Sequence, residues 1–87
     1  MNRIEAEILA HVRARGAGKS ICPSEVARAL EPDEEAWRRL LGPVRAAAIR
    51  LARQGQVAIL RKGKPVSVTE EVRGVIRLAL PLPAAEE

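Results

Sequence analysis

The sequence predicts an α+β domain, with three to four helices leading into a small antiparallel β-unit. Three observations carry this. Apolar residues recur at helical spacing through the first half of the chain. After Gly55 the pattern changes to extended, β-branched segments. Pro, Gly and Asp punctuate the chain at intervals suited to short elements. The 87 residues make one domain, expected over residues 1–80, with a frayed tail at 81–87. With no Phe, no Tyr and one Trp, the core has to be built from Ala, Leu, Ile and Val. Such a core is thin per residue, so modest stability is expected.

The elements follow in order. Asn2 is placed to cap a first helix reaching Arg15, whose Ile4, Ile8, Val12 and Leu9 form one apolar stripe. Gly16 and Gly18 end it. Lys19-Ser20-Ile21-Cys22 is too short for a helix and reads as a brief strand. Pro23 suits the first position of a second helix, because its missing N–H had no partner there. Glu25, three residues after Cys22, can reach back to the cap N–H, and Val26, Ala29 and Leu30 form the apolar side. Asp33 caps a short third helix, Glu34 to Leu41, with Glu34 and Glu35 matching the positive end of its dipole. Gly42-Pro43 interrupts, and Pro43 opens a fourth helix to Gln54. The alternative is one long helix through Pro43, and two helices are preferred. Gly55 is the expected left-handed cap. Gln56–Leu60 and Val75–Leu80 are two antiparallel strands joined by a long loop with a turn-rich tip at Lys62-Gly63-Lys64-Pro65. Thr69-Glu70-Glu71 can cap a single helical turn in that loop.

Charge is segregated along the chain. Residues 1–35 are net −2 and residues 70–87 are net −2. Residues 36–69 carry eight cations and no acid. An acid-free basic stretch of this length is the electrostatic footprint of an anionic partner.

The element order, helix, short strand, helix, helix, strand, loop, strand, resembles that of the winged helix-turn-helix superfamily. Ser24-Glu25-Val26-Ala27-Arg28-Ala29-Leu30 looks like its supporting helix. The run from Val44 to Val57 looks like its recognition helix entering the first strand of a β-wing. The chain is also similar to a family of short bacterial domains of uncharacterised function. There a Cys-Pro-Ser-Glu-Val-Ala helix start, a Trp-containing short helix and a Lys-Gly-Lys/Arg-Pro loop recur. That likeness implies the fold and no activity. One departure is the insertion of Asp33–Leu41 between the supporting and recognition helices, where the superfamily uses a 3–4-residue turn.

On the Pro43–Gln54 helix, Val44, Ala47, Ala48 and Leu51 cluster on one face, facing the core. Arg45, Ala46, Ile49, Arg50 and Arg53 lie on the other, where arginines reach phosphates or guanine edges and a small Ala46 permits close approach. Arg61, Lys62 and Lys64 surround the wing tip and suit a phosphate backbone or a minor groove. Arg73 and Arg77 are weaker candidates, Arg77 serving as well to keep a strand edge from pairing. The expected function is therefore duplex-DNA binding, as a transcription regulator or accessory factor. The alternative is a protein-interaction adaptor on the same fold, using Ile49, Trp37 and the insert.

Other chemistries find little support. Gly18-Lys19-Ser20 lacks the earlier glycine and preceding strand of a phosphate-binding loop, since position 13 is Arg13 and a helix precedes it. One Cys and one His are too few for a zinc site, and Cys22 has no second thiol to resolve an oxidised form. Cys22 reads as a small hydrophobe or cap, His11 as a boundary residue, Trp37 as core, and the Glu31–Glu35 acids as helix caps and dipole partners. With no acid–base or nucleophile–base pair visible, no enzymatic activity and no cofactor are expected. The single cysteine fits a reducing cytoplasm, the charged N-terminus is unlike a signal peptide, and no apolar run approaches the ~20 residues of a membrane span.

Overall fold

The computed structural model describes residues 2–68 and 72–81. Three helices and four strands occur in the order α1 (Arg3–Arg15), β1 (Ser20–Ile21), α2 (Pro23–Leu30), α3 (Glu34–Arg53), β2 (Ala58–Arg61), β3 (Lys64–Pro65) and β4 (Arg77–Ala79). The strands form one antiparallel sheet in the order β1-β4-β2-β3. The last strand in sequence thus lies between the first two. Arg77 therefore sits on an interior strand and guards no edge. Its guanidinium instead donates to the hydroxyl of Ser20, at 2.6 Å, and to the Ser20 carbonyl, at 3.0 Å.

Local signals account for most element ends. Asn2 accepts from the Glu5 N–H at 2.8 Å while the Glu5 carboxylate accepts from the Asn2 N–H, a reciprocal cap that opens α1. The Cys22 N–H donates to the Glu25 carboxylate at 3.0 Å, as the spacing predicts. Asp33 caps α3 through the Ala36 N–H. At the other end of α3, the Gln56 N–H reaches the Leu51 carbonyl and the Gly55 N–H the Ala52 carbonyl, with Gly55 at φ +77°. This paired closure uses a left-handed residue that glycine adopts without a Cβ clash.

The preferred division of Glu34–Gln54 into two helices is corrected: α3 runs unbroken through Pro43. An internal proline removes one backbone bond and costs roughly 3 kcal/mol in isolation. Here Gly42, Pro43 and Arg39 are all exposed, so water can serve the Arg39 carbonyl that loses its donor. Trp37, Leu40, Leu41, Val44, Ala47, Ala48 and Leu51 meanwhile keep helical phase across the proline, and all pack in or against one core. Burial of that continuous stripe outweighs the local break. The residues treated as an insert are thus the first turns of the helix.

The core is aliphatic, as composition requires. Ile8, Leu9 and Val12 of α1 meet Val26 and Ala27 of α2. They close on Val44, Ala47, Ala48 and Leu51 of α3 and on Ile21, Ile59 and Leu78 of the sheet. Trp37 packs only on its rim, half-buried, with the Arg28 and Arg38 guanidiniums 4.7 and 5.5 Å from its ring centre. The expected helical turn at Thr69-Glu70-Glu71 and most of the expected tail lie outside the described residues.

Candidate nucleic-acid interface

Helical phase decides which α3 residues share a surface. At 100° per residue, Arg39, Ala46, Arg50 and Arg53 fall within a sector of about 60°. All four are exposed. Arg39 was missed as a candidate because splitting the helix at Gly42-Pro43 erased its phase relation to Arg50. The signal was present in the 39-46-50-53 spacing. Arg39 has no ion pair or hydrogen bond to another described residue.

Arg45 and Ile49 lie to one side of this strip, and both are half-buried. Ile49 packs against the core cluster, so it is not the exposed apolar contact that the helix-face reading implied. The Arg45 guanidinium donates to the Val72 carbonyl at 2.6 Å and to the Gly74 carbonyl at 2.8 Å. Arg53 donates to the Val68 carbonyl at 3.1 Å. Two arginines of α3 thus hold the connection between β3 and β4 against the helix, with Val66, Val68 and Val72 partly buried beneath it. Arg50 differs. Its Nε donates to the Glu5 carboxylate of α1 at 3.1 Å. The Asn2 N–H and the Arg50 guanidinium together hold the Glu5 carboxyl below its ordinary pKa.

The connection between β2 and β3 is a tight hairpin. Arg61 pairs with Lys64 and Leu60 with Pro65, leaving two turn residues. Both have positive φ, Lys62 at 53° and Gly63 at 80°, as a type I′ turn requires. Asparagine is favoured at the first of these positions. A lysine there accepts left-handed strain and puts a charge at the apex. Lys62 and Lys64 are exposed and have no partner among the described residues.

Side chains of α3 and β2 meet at Gly74. Its carbonyl is held by Arg45, and a β-carbon there would sit 3.2 to 3.4 Å from the Arg61 guanidinium, which crosses its face. Gly74 also has φ +79°. A residue without a Cβ therefore lets the Arg61 guanidinium lie close to the loop whose carbonyl Arg45 holds. Beside it, a shallow cavity of about 370 Å³ is lined by Leu60, Arg61, Lys62, Val75 and Arg77. Val75, 85% exposed, is the large hydrophobic left uncovered among the described residues. Of the acids at Glu31–Glu35, Glu35 is exposed one turn before Arg39 and falls in the same sector of α3. Glu34 pairs with Arg38 at 2.6 Å and Glu31 lies 4.0 Å from Arg3.

The residues weighed for other chemistry are placed more simply. His11 lies against the carbonyl and carboxylate of Glu7 in its own helix. The Cys22 sulfur accepts from the Ser24 hydroxyl at 3.1 Å. Neither joins the basic surface. No helix among the described residues is long and apolar enough to cross a membrane.

Fold and side-chain placement define a small α+β domain with a basic helix strip and a basic hairpin. Over residues 1–81 the chain matches the family described as "Protein of unknown function (DUF3253)", and it belongs to that family. No curated protein matches it significantly.

Proposed function

We propose that this chain is a duplex-DNA-binding domain of winged-helix type. The element order supports the winged-helix reading, as does the seating of β4 between β1 and β2 with a hairpin on the far edge. The observation that carries the binding reading is the single exposed strip of Arg39, Ala46, Arg50 and Arg53. It bears three guanidiniums, and α3 has no acid after Glu35. The Arg61-Lys62-Gly63-Lys64 hairpin adds a second basic contact. In this reading the strip faces the major groove and the hairpin tip follows the phosphate backbone. Arg45 works from behind, bracing the loop between β3 and β4.

Anisotropy of a fluorescently labelled duplex, titrated across salt, tests this. Log affinity should fall against log salt with a slope of roughly −0.9 per phosphate contacted. Arg39→Glu combined with Lys62→Glu removes two cations that have no partner among the described residues. It should weaken duplex binding about tenfold or more at ~0.1 M salt, and leave the circular dichroism spectrum unchanged. A wild-type chain that ignores duplex at low salt rejects the reading. If it instead co-purifies with a protein partner after nuclease treatment, the adaptor reading replaces it.

A further inference from the structure

We infer that Glu5 is a built-in competitor for the proposed DNA-binding face: its carboxylate occupies Arg50 in place of a phosphate and holds down the affinity of the strip. This rests on the duplex-binding reading of that surface.

The strip and the rest of α3 beyond Glu35 supply no acid of their own. The carboxylate that meets Arg50 comes from α1, 45 residues earlier in the chain. Among the described residues, Arg45 and Arg53 in the second half of α3 donate to neutral carbonyls, and Arg50 meets a carboxylate. The two partners are held unequally. Glu5 is anchored by its second oxygen to the Asn2 N–H, and its side chain is 13% exposed. Arg50 is 49% exposed and uses only Nε in the contact. A guanidinium has five N–H donors, so its outer nitrogens remain available to an incoming anion. Glu5 is thus the fixed member and Arg50 the one able to turn outward. A phosphate arriving at Arg50 meets a neutralised cation and a carboxylate of its own sign behind it.

The test compares Glu5→Gln with wild type in the duplex titration. Glutamine serves at the third position of a capping box, so α1 keeps its start while the negative charge is lost. The expected result is a three- to tenfold gain in affinity at ~0.1 M salt, with a slope steeper by roughly 0.9, one phosphate contact. Glu31→Gln makes the same change in net charge and frees Arg3, off the strip. Its gain should stay under about twofold. In an Arg50→Gln background, Glu5→Gln should give no gain beyond that of Glu31→Gln. Glu5→Ala, which drops both contacts, should reproduce the gain and guards against a fault specific to glutamine. The inference is overturned if Glu5→Gln binds no better than wild type, if its gain equals that of Glu31→Gln, or if the gain survives loss of Arg50. Wild-type binding with the expected salt slope but no Glu5 effect rejects the competitor alone. Failure of wild type and Glu5→Gln alike to bind duplex rejects the DNA reading and the competitor with it.

Discussion

The two halves of α3 settle their charges in opposite ways. From Glu34 to Leu41 one cation is paired within the helix, and Arg39 has no partner among the described residues. Asp33 caps the helix, Glu34 pairs with Arg38 one turn on, and Arg38 with the neighbouring Arg28 flanks Trp37. From Pro43 to Arg53 the helix has three arginines and no acid, and each arginine reaches another part of the chain: the loop before β4, α1, or the loop after β3. Burial divides the same way. The fully buried residues of α3 are Val44, Ala47, Ala48 and Leu51, all in the second half, whereas Trp37, Leu40 and Leu41 are only half-buried. A helix segment with local acids can pair a cation within itself, as Glu34 does with Arg38. One without them satisfies its cations by organising its surroundings, and here it also builds the core.

This contrast can be broken by substitution, and the core should respond most. Leu51→Ala removes a buried side chain from the second half and should cost about 2–5 kcal/mol by chemical denaturation. Leu40→Ala, on the half-buried rim, should cost clearly less. Equal losses would mean that the two halves share the core evenly. Next comes Arg45→Ala. Loss of its two bonds to Val72 and Gly74 should cost roughly 1–3 kcal/mol and speed proteolysis at residues 66–74 more than elsewhere. An unchanged cleavage pattern would show that the arginine does not hold the loop. The smallest effect belongs to Arg38→Ala. It breaks an exposed pair one helical turn apart, worth about 0.3–0.5 kcal/mol and weaker in salt. A loss as large as that of Arg45→Ala would remove the distinction between local and long-range arginines.

Much of the fold was readable in order along the chain. Asn2, Cys22 with Glu25, Asp33 and Gly55 each act within three to five residues, and each ended or began an element where expected. The brief strand at Ser20–Ile21 and the antiparallel pairing of β2 with β4 also appear. The division at Gly42-Pro43 failed because proline was weighed as a local breaker. The apolar stripe that carries the helix across it, Leu40 through Leu51, draws its energy from partners in α1, α2 and the sheet. The candidate face was readable in part. Ala46, Arg50 and Arg53 are exposed as expected, while Arg45 and Ile49 turn to internal contacts and Arg39 joins the strip. Arg45 and Arg53 find carbonyls 15 to 29 residues away, and Arg50 finds Glu5 45 residues away. No spacing rule reaches that far.

Segregation of charge is a property of the chain before it folds. The acid-free middle, the caps and the left-handed turn residues follow from side-chain chemistry acting over a few residues, and they specify which elements form and where most of them end. Packing settled the continuity of α3 and the accessibility of its arginines. A buried stripe offsets a missing backbone bond only when distant elements cover it. A guanidinium stays available to a ligand only when no carbonyl or carboxylate has been brought within reach. Of the strip, Arg39 has no partner among the described residues and Arg50 is held by Glu5, and that contact came from the way α1 lies against α3.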